Sequence, residues 1–462
     1  MAPMTEEPGS PQRMALAAFW QAAGGDERLP ANVDFRGDGQ LPSVFAVSDL
    51  AAASIAAAGL AVAEFRSAVF GGSPAVTVDR RLASLWFGTS LKPLGWALPP
   101  AWDPVAGDYQ AKDGWIRLHT NALHHRDAAL AVLGTRPERD AVAMAVGHWK
   151  ADALEAAIVE RGGCAAAMRA SASWQAHPQG RAVAGEPLLW VEEQAAGECR
   201  PPALPERPLA GVKVLDLTRV LAGPAATRFL AGFGADVLRI DPPWWDEPAV
   251  LPDVTVGKRR ARLDLRDAVG RARFMELLSQ ADLLVHGYRA DALARLGFDA
   301  AARQRIRPGL VDVSLDAYGW TGPWAGRRGF DSLVQMSGGI AAEGMRRYGT
   351  DRPKPLPVQA LDHATGYLLA TAAVRGLTHR LAGGRGSRWR TSLARIGALL
   401  AGLPAPPDGP AVAGADDRDF AGAVEDTGWG PALRLRPPLV VAGAPMHWDR
   451  PAGPLGADEA RW

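Results

Sequence analysis

The chain has 462 residues, 48% hydrophobic and 22% charged, with 51 basic side chains against 50 acidic ones. That length suits two to three domains with sizeable cores. The near-neutral balance excludes a global field that would draw nucleic acid or an anionic membrane, so any anion site must come from local clustering. Cys164 and Cys199 have neither CxxC nor metal-ligand spacing, which argues against a disulfide framework and fits a reducing cytoplasm. The N-terminus is acidic and Pro-rich where a signal peptide would be basic and then apolar. The Ala-rich stretch from Leu50 to Phe65 falls short of the ~20 apolar residues of a membrane span, so a soluble cytoplasmic protein is expected.

In chain order, residues 1–106 read as an arm with a helix around Arg13 to Ala23, a helix over Val47 to Phe65, a strand at Ala75 to Val78, and a Pro- and Trp-rich connection from Lys92 to Pro104. Residues 107–195 read as a small α+β domain, with a strand at Gly114 to His119 and helices at Arg126 to Val132 and Lys150 to Glu160. Residues 196–208 form a Pro-rich linker. Beyond it, strands at Val212 to Leu217, Ala235 to Asp241, Leu283 to Val285 and Leu310 to Ser314 alternate with helices from Gly223, at Ala268 to Gln280 and at Ala290 to Leu296. This alternation predicts an α/β fold, with a doubly wound, Rossmann-like parallel sheet over residues 209–402. Helices Asp362 to Leu381 and Ser392 to Ala401 complete it, and residues 403–462 form a C-terminal return segment with little periodicity.

Two segments resemble each other. LPSVFAVSDLAAASIAAAGLAVAEF and LPVQALDHATGYLLATAAVRGLTHR each have an apolar lead-in, an Asp (Asp49, Asp362) and an Ala-rich helix; Ala-rich composition alone can also produce such a likeness. The first βαβ unit has an acid, Asp241, at the spacing of a dinucleotide fold, but its turn, Leu221 to Thr227, lacks GxGxxG and could not seat a pyrophosphate in that manner.

More specific are five ordered elements between Leu209 and Ala370: LAGVKVLDLTRVLAGPAATRFLAGFGADVLRIDPP, GKRRARLDLRDAVGR, ADLLVHGYRADALARLGFD, YGWTGPWAGRRGFDSLVQMSGG and VQALDHATGYLLA. Together they resemble class III CoA-transferases of the CaiB/BaiF type. YQAKDGWIRLHTNALHHRDAALAVLG and SWQAHPQGRAVAGEP resemble the small domain of that family, which here precedes the large one. The order suggests two truncated family units joined at the Pro201 to Pro208 linker.

The resemblance implies CoA transfer between an acyl-CoA and a free carboxylic acid, through an aspartyl mixed anhydride and an aspartyl-CoA thioester. It implies Asp362 as the catalytic carboxylate, at a helix N-terminus whose N–H groups would steady a developing oxyanion. The N-cap role common for an Asp there is the alternative, and Asp49 is the lesser candidate. For CoA it implies Val220, Lys258, Arg259, Tyr288, Arg295 and Arg328, with CoA as substrate, no permanent cofactor and no metal. Relatives that racemise acyl-CoA carry a His where this chain has Phe330, a substrate-binding candidate that cannot carry a proton, so transfer is favoured over racemisation. His363 adjoins Asp362, but helix neighbours point apart. Gly287 replaces the family Asn, and Trp96 to Trp102 stands where a glycine-rich loop is usual. These departures leave room for a degenerate CoA-binding protein. His119, His124 and His125 lack the partners of a metal site, and the 16 tryptophans, Trp244 and Trp245 included, read as core and interface anchors. The family forms interlocked homodimers, so a dimer is expected unless the two units complete each other within one chain.

Overall fold

The computed structural model describes residues 9–198, 201, 203–289, 291–406 and 408–462. Cys199 and Ala290 lie outside the described residues. Ser10 accepts the Arg13 N–H and, with Pro11 in the first turn, starts helix α1 (Pro11–Ala22). Strand β1 (Val33–Arg36), helix α2 (Val47–Phe70), strand β2 (Val76–Asp79), helix α3 (Arg80–Trp86) and strand β3 (Leu91–Pro93) follow. α2 is longer than the sequence reading allowed. It is long and apolar enough to cross a membrane, but 94% of its apolar stretch is buried inside this fold, as in the core helix of a soluble protein.

The small domain follows. It comprises β4 (Gly107–Ala111), β5 (Gly114–Leu118), α4 (Leu123–Leu133), α5 (Arg139–Val146), α6 (Ala151–Glu160), β6 (Ala165–Ala167), α7 (Ser171–Ala176) and α8 (Pro178–Ala184). Its antiparallel sheet runs β4-β5-β6, and Tyr109, Ile116, Leu118, Val142, Leu154 and Ile158 form its core. Residues 190–195, assigned to this domain from the sequence, form most of strand β7 (Trp190–Ala196), which instead joins the sheet of the large domain.

The large domain contains β8 (Lys213–Leu217), α9 (Ala222–Gly232), β9 (Asp236–Asp241), α10 (Leu251–Val254), β10 (Lys258–Arg262), α11 (Ala268–Ser279), β11 (Leu283–His286), α12 (Ala292–Arg295), α13 (Ala300–Ile306), β12 (Val311–Asp316), α14 (Asp331–Ser337), α15 (Ile340–Tyr348), α16 (Ala360–Gly383), β13 (Arg385–Ser392) and α17 (Leu393–Gly402). Its sheet has the order β10-β9-β8-β11-β12-β13-β7, with six parallel strands and β7 antiparallel at one edge. The central strands are buried on both faces, and their polar side chains, such as Asp216, His286 and Asp312, are buried with them. The return segment is more regular than its composition suggested: β14 (Glu425–Thr427), β15 (Gly430–Arg434) and β16 (Leu439–Val441) occur there. Each finds its partner across the fold or in a neighbour, so no local periodicity announces it.

The likeness between the two Asp segments is structural. α2 and α16 are both 24 residues long, Asp49 and Asp362 are each the third residue, and the preceding residues Ala46 and Gln359 share nearly the same φ and ψ (−75°, 60° and −75°, 65°). Each helix joins a parallel strand pair, β1 to β2 and β12 to β13, and a helix leaves each second strand. The third strand is exchanged: β7, which follows the first unit, pairs antiparallel with β13, whereas β16, which follows the second, pairs antiparallel with β2. α2 and α16 pack in one shared core, with Glu64 of the first ion-paired to Arg375 of the second.

The Asp49 site is filled. Arg80, the first residue of α3, donates to Asp49 at 2.9 Å, to Gln12 and to the Gly39 carbonyl, and Asp49 is 4% exposed. Arg80→Met leaves a buried carboxylate without its cation, and a loss of about 3–5 kcal/mol of stability is expected, read by urea denaturation. A variant as stable as the parent would contradict the structural role.

Candidate active site

Asp362 sits in the first turn of α16, where an Asp often caps its own helix. Here another carboxylate serves the helix start. Asp331, the first residue of α14, accepts the backbone N–H groups of Leu361 at 2.9 Å and Asp362 at 3.0 Å, and the side-chain amide of Gln335. The Ala360 N–H goes to the Val358 carbonyl and the His363 N–H to the Gln359 carbonyl. All four leading N–H groups of α16 are therefore engaged, which corrects the expectation that they would be free for an oxyanion. The Asp362 carboxylate makes no hydrogen bond or ion pair among the described residues. Burial, reinforced by the charge of Asp331, raises its pKa well above the carboxylate range. Burial also raises Asp331, to about 6, against the pull of its hydrogen bonds.

A cleft of about 710 Å³ opens at Asp362. It lies at the carboxyl ends of the parallel strands, the usual ligand position in such sheets. One wall is aromatic and cationic: the Arg219 guanidinium stacks over Trp245 at 4.3 Å and Tyr288 at 4.8 Å, and Arg266 lies 3.5 Å over Trp244. Arg289, Arg295, Arg327 and Arg328 also line the cleft. Arg266, Arg295 and Arg327 are paired with Asp264, Asp291 and Glu155, whereas Arg219, Arg289 and Arg328 form no ion pair among the described residues. Leu315, Ala317, Phe330 and Leu393 give the cleft apolar lining, and His124 and His125 of α4 in the small domain line it too. Leu393 is the first residue of α17 and so occupies the position that Arg80 holds in the first unit. A guanidinium closes one Asp site, and a leucine leaves the other open.

The turn between β8 and α9 is held tightly. A Cβ on Gly223 would lie 2.3 Å from Thr218, so packing demands glycine there. Val220 has φ +63°, strained for a β-branched residue. Its N–H donates to Glu247 at 2.9 Å, and Glu247 also accepts the Trp245 indole N–H at 3.0 Å. One carboxylate thus fixes both the turn and the tryptophan.

Six of the eight residues implied by the resemblance line this cleft: Val220, Tyr288, Arg295, Arg328, Phe330 and Asp362. Lys258 and Arg259 do not. Lys258 is fully buried, its ammonium 3.0 Å from Asp216, 2.9 Å from the Pro224 carbonyl and 2.6 Å from Thr227. Burial pushes it down to about 8. It braces the AGP turn from beneath and cannot reach a phosphate. Arg259 pairs with Asp236 at 2.7 Å, away from the cleft. Asp241 is wholly buried against Arg239 at 2.8 Å, which removes the acid that a nicotinamide dinucleotide would need. Arg219, Arg289, Trp244, Trp245, His124 and His125 went unassigned as site residues from the sequence. Position was the available signal, since Trp244 and Trp245 lie just past the end of β9, after Pro242 and Pro243. Among the described residues no cluster could hold a metal ion.

Residues 209–409 match the model of CoA-transferase family III. That region of the chain is similar to family III CoA-transferases. An acyl-CoA transferase of Gibberella moniliformis is 30% identical over 301 residues, 59% of this chain and 52% of the relative. The succinate–glutarate CoA-transferase of Agrobacterium fabrum is 32% identical over 199 residues, 39% of this chain and 49% of the relative. A CaiB/BaiF family protein of Brucella suis, known by crystal structure, is 25% identical, with 50% of this chain and 66% of that one covered and a TM-score of 0.37. The chain spans about half, or less, of the length of the curated relatives it matches.

The two carboxylates take up protons on folding, because their folded pKa values lie above the unfolded ones. Their contribution to stability is present at acid pH and is lost as pH rises through the raised values. In a ¹³C NMR titration Asp362 is expected to ionise above the ordinary carboxylate range of about 4. Asp331→Asn, which keeps an oxygen for the helix N–H groups, should move that midpoint down. An Asp362 midpoint near 4 in the parent, or one unmoved by the substitution, would contradict the coupling.

Proposed function

We propose that this chain transfers CoA between an acyl-CoA and a free carboxylic acid, with Asp362 as the nucleophile. The observation that carries the proposal is the unpartnered, buried Asp362 carboxylate at the head of a cleft lined by aromatic rings and unpaired arginines. The relatives named as CoA-transferases support the same chemistry.

Asp362 attacks the thioester carbonyl, forming a mixed anhydride and expelling CoA thiolate. The thiolate attacks the aspartyl carbonyl, giving an aspartyl-CoA thioester and releasing the first acid as carboxylate. A second carboxylate then attacks that thioester, and the thiolate returns to the new acyl carbonyl. Charge balances at each step and no proton is consumed. Taking the carboxylate out of water raises its basicity and hence its nucleophilicity once ionised. Arg219, Arg289 and Arg328 suit the phosphates of CoA, and Trp244, Trp245 and Tyr288 suit its adenine. Phe330, at the wall where a racemase would place its proton carrier, favours transfer over racemisation.

The exchanged strands let the small domain of the first unit close the cleft of the second. A single chain thus holds both halves of the site, which favours a self-contained chain over the expected homodimer. A cytoplasmic location accords with the sequence composition.

The test is isotope exchange. A labelled free acid incubated with its unlabelled CoA thioester should enter the thioester, and Asp362→Asn should slow that exchange on the order of 10³-fold or more. Exchange at the parent rate in the variant would remove Asp362 from the chemistry.

A further inference from the structure

The two Asp sites correspond closely up to one side chain. The last paired residues of the two parallel strand pairs are Arg36 with Asp79 and Asp316 with Ser392. In each unit the second of these caps the helix that follows: Asp79 accepts the Leu82 N–H at 2.8 Å, and Ser392 the Arg395 N–H at 3.2 Å. α3 and α17 then meet α2 and α16 in the same register. Ser84, the fifth residue of α3, donates to Ser48, the residue before Asp49, at 2.8 Å. A Cβ on Gly397, the fifth residue of α17, would lie 3.6 Å from Leu361, the residue before Asp362. That common register sets the first residue of each second helix against the Asp. Arg80 donates to Asp49 at 2.9 Å, and Leu393 lines the cleft together with Asp362.

Arg80 shows what fits in that place. Its guanidinium is flat and trigonal at carbon, as a thioester carbonyl is, and it sits close to the ~3–3.5 Å from which a nucleophile attacks. Its other nitrogens go to Gln12 and the Gly39 carbonyl, so the place is full. Leucine is shorter and uncharged, and the same place beside Asp362 stays part of the cleft. Both Asp362 oxygens keep accessible surface, and neither has a partner among the described residues. The Ala317 carbonyl accepts the Ala394 N–H at 2.9 Å, which joins Ala317 to Leu393 in one apolar stretch of the lining. Asp316, paired with Ser392, adds a carboxyl to that stretch.

Resting on the transferase reading, we propose that the place Arg80 fills beside Asp49 is, beside Asp362, the seat of the acyl group, and that Leu393 is the specificity-determining residue that bounds it. The substrate class that fits is a CoA thioester of a short, apolar acyl group. Its carbonyl takes the position that corresponds to the guanidinium carbon, and its carbon chain meets Leu393 and Ala317. A longer chain collides with Leu393, and a chain that ends in a carboxylate meets the Asp316 carboxyl. Close-packed apolar walls discriminate by size in this way, by about 10–200-fold per methylene.

The test follows exchange of labelled acetate, butyrate and hexanoate into their own CoA thioesters, with free CoA affinity measured by calorimetry. The parent is expected to exchange acetate or butyrate at least about tenfold faster than hexanoate, and Leu393→Ala to shift that ratio at least about tenfold towards hexanoate. Leu393→Arg should rebuild the closed arrangement of Asp49. Exchange of all three acids should then fall on the order of 10³-fold, free CoA affinity should stay within about twofold, and Asp362 should ionise in or below the ordinary carboxylate range of about 4. Leu393→Ala adds no charge and carries the test alone if the arginine variant does not fold. A chain-length ratio unchanged in Leu393→Ala, or exchange at the parent rate in Leu393→Arg, would overturn the inference. A parent that exchanges none of the three acids but exchanges succinate would overturn it while leaving the transferase reading standing. A parent that exchanges none of the four would overturn that reading.

Discussion

The Asp331 and Asp362 carboxylates share one helix N-terminus, and the hydrogen bonds there suffice for only one of them. Asp331 takes the N–H groups of Leu361 and Asp362 and the amide of Gln335. Among the described residues, the Asp362 carboxylate receives neither hydrogen bonds nor a counter-charge. A buried carboxylate in that state is unfavourable for folding, because desolvation and a like charge both oppose ionisation. The fold holds it there through the packing of α16. A Cβ at Gly366 would lie 2.4 Å from the Ala222 carbonyl, so α9 and α16 touch backbone to backbone. That contact sets the AGP turn, the strained Val220 and the aromatic wall in fixed relation to the carboxylate. Such placement of an ill-satisfied group at the head of a cleft is where stability is given up for chemistry.

The comparison with Asp49 shows what the alternative looks like. The two aspartates share helix length, position and backbone geometry, yet Arg80, Gln12 and the Gly39 carbonyl build a closed network around Asp49. Arg80 fills the volume and supplies the charge, and Leu393 at the matching position does neither. One unit has thus become a structural partner. It contributes a core helix against α16, a receiving sheet for β16, and the small domain whose α4 brings His124 and His125 to the cleft of the other unit.

Much of this was legible in the sequence. Every strand and most helices of the large domain appeared in the alternation of apolar runs and helical periods, except β10 and β13. β10 carries Lys258, Arg259, Arg260 and Arg262 and reads as a charge run; burial of Lys258 against Asp216 is a tertiary fact. β13 has Arg and Ser at alternate positions and is defined by its neighbours β12 and β7. Asp362 was identifiable because its segment resembles a family motif and also the Asp49 segment. The aromatic wall was not identifiable, since Trp244 and Trp245 acquire meaning only from standing at the end of β9, opposite Tyr288 and Arg219. Lys258 shows the converse error: a lysine in a basic run that the resemblance implied for CoA is fully buried, and its ammonium holds the Pro224 carbonyl.

The central claim, that Asp362 is the group that becomes acylated, is tested most directly by trapping. The protein is incubated with an acyl-CoA, quenched with hydroxylamine, digested, and mapped by mass spectrometry. The account predicts a hydroxamate on the peptide that carries Asp362 and none on the peptide that carries Asp49. Modification at Asp49, or turnover with no trace of modification at Asp362, would contradict it.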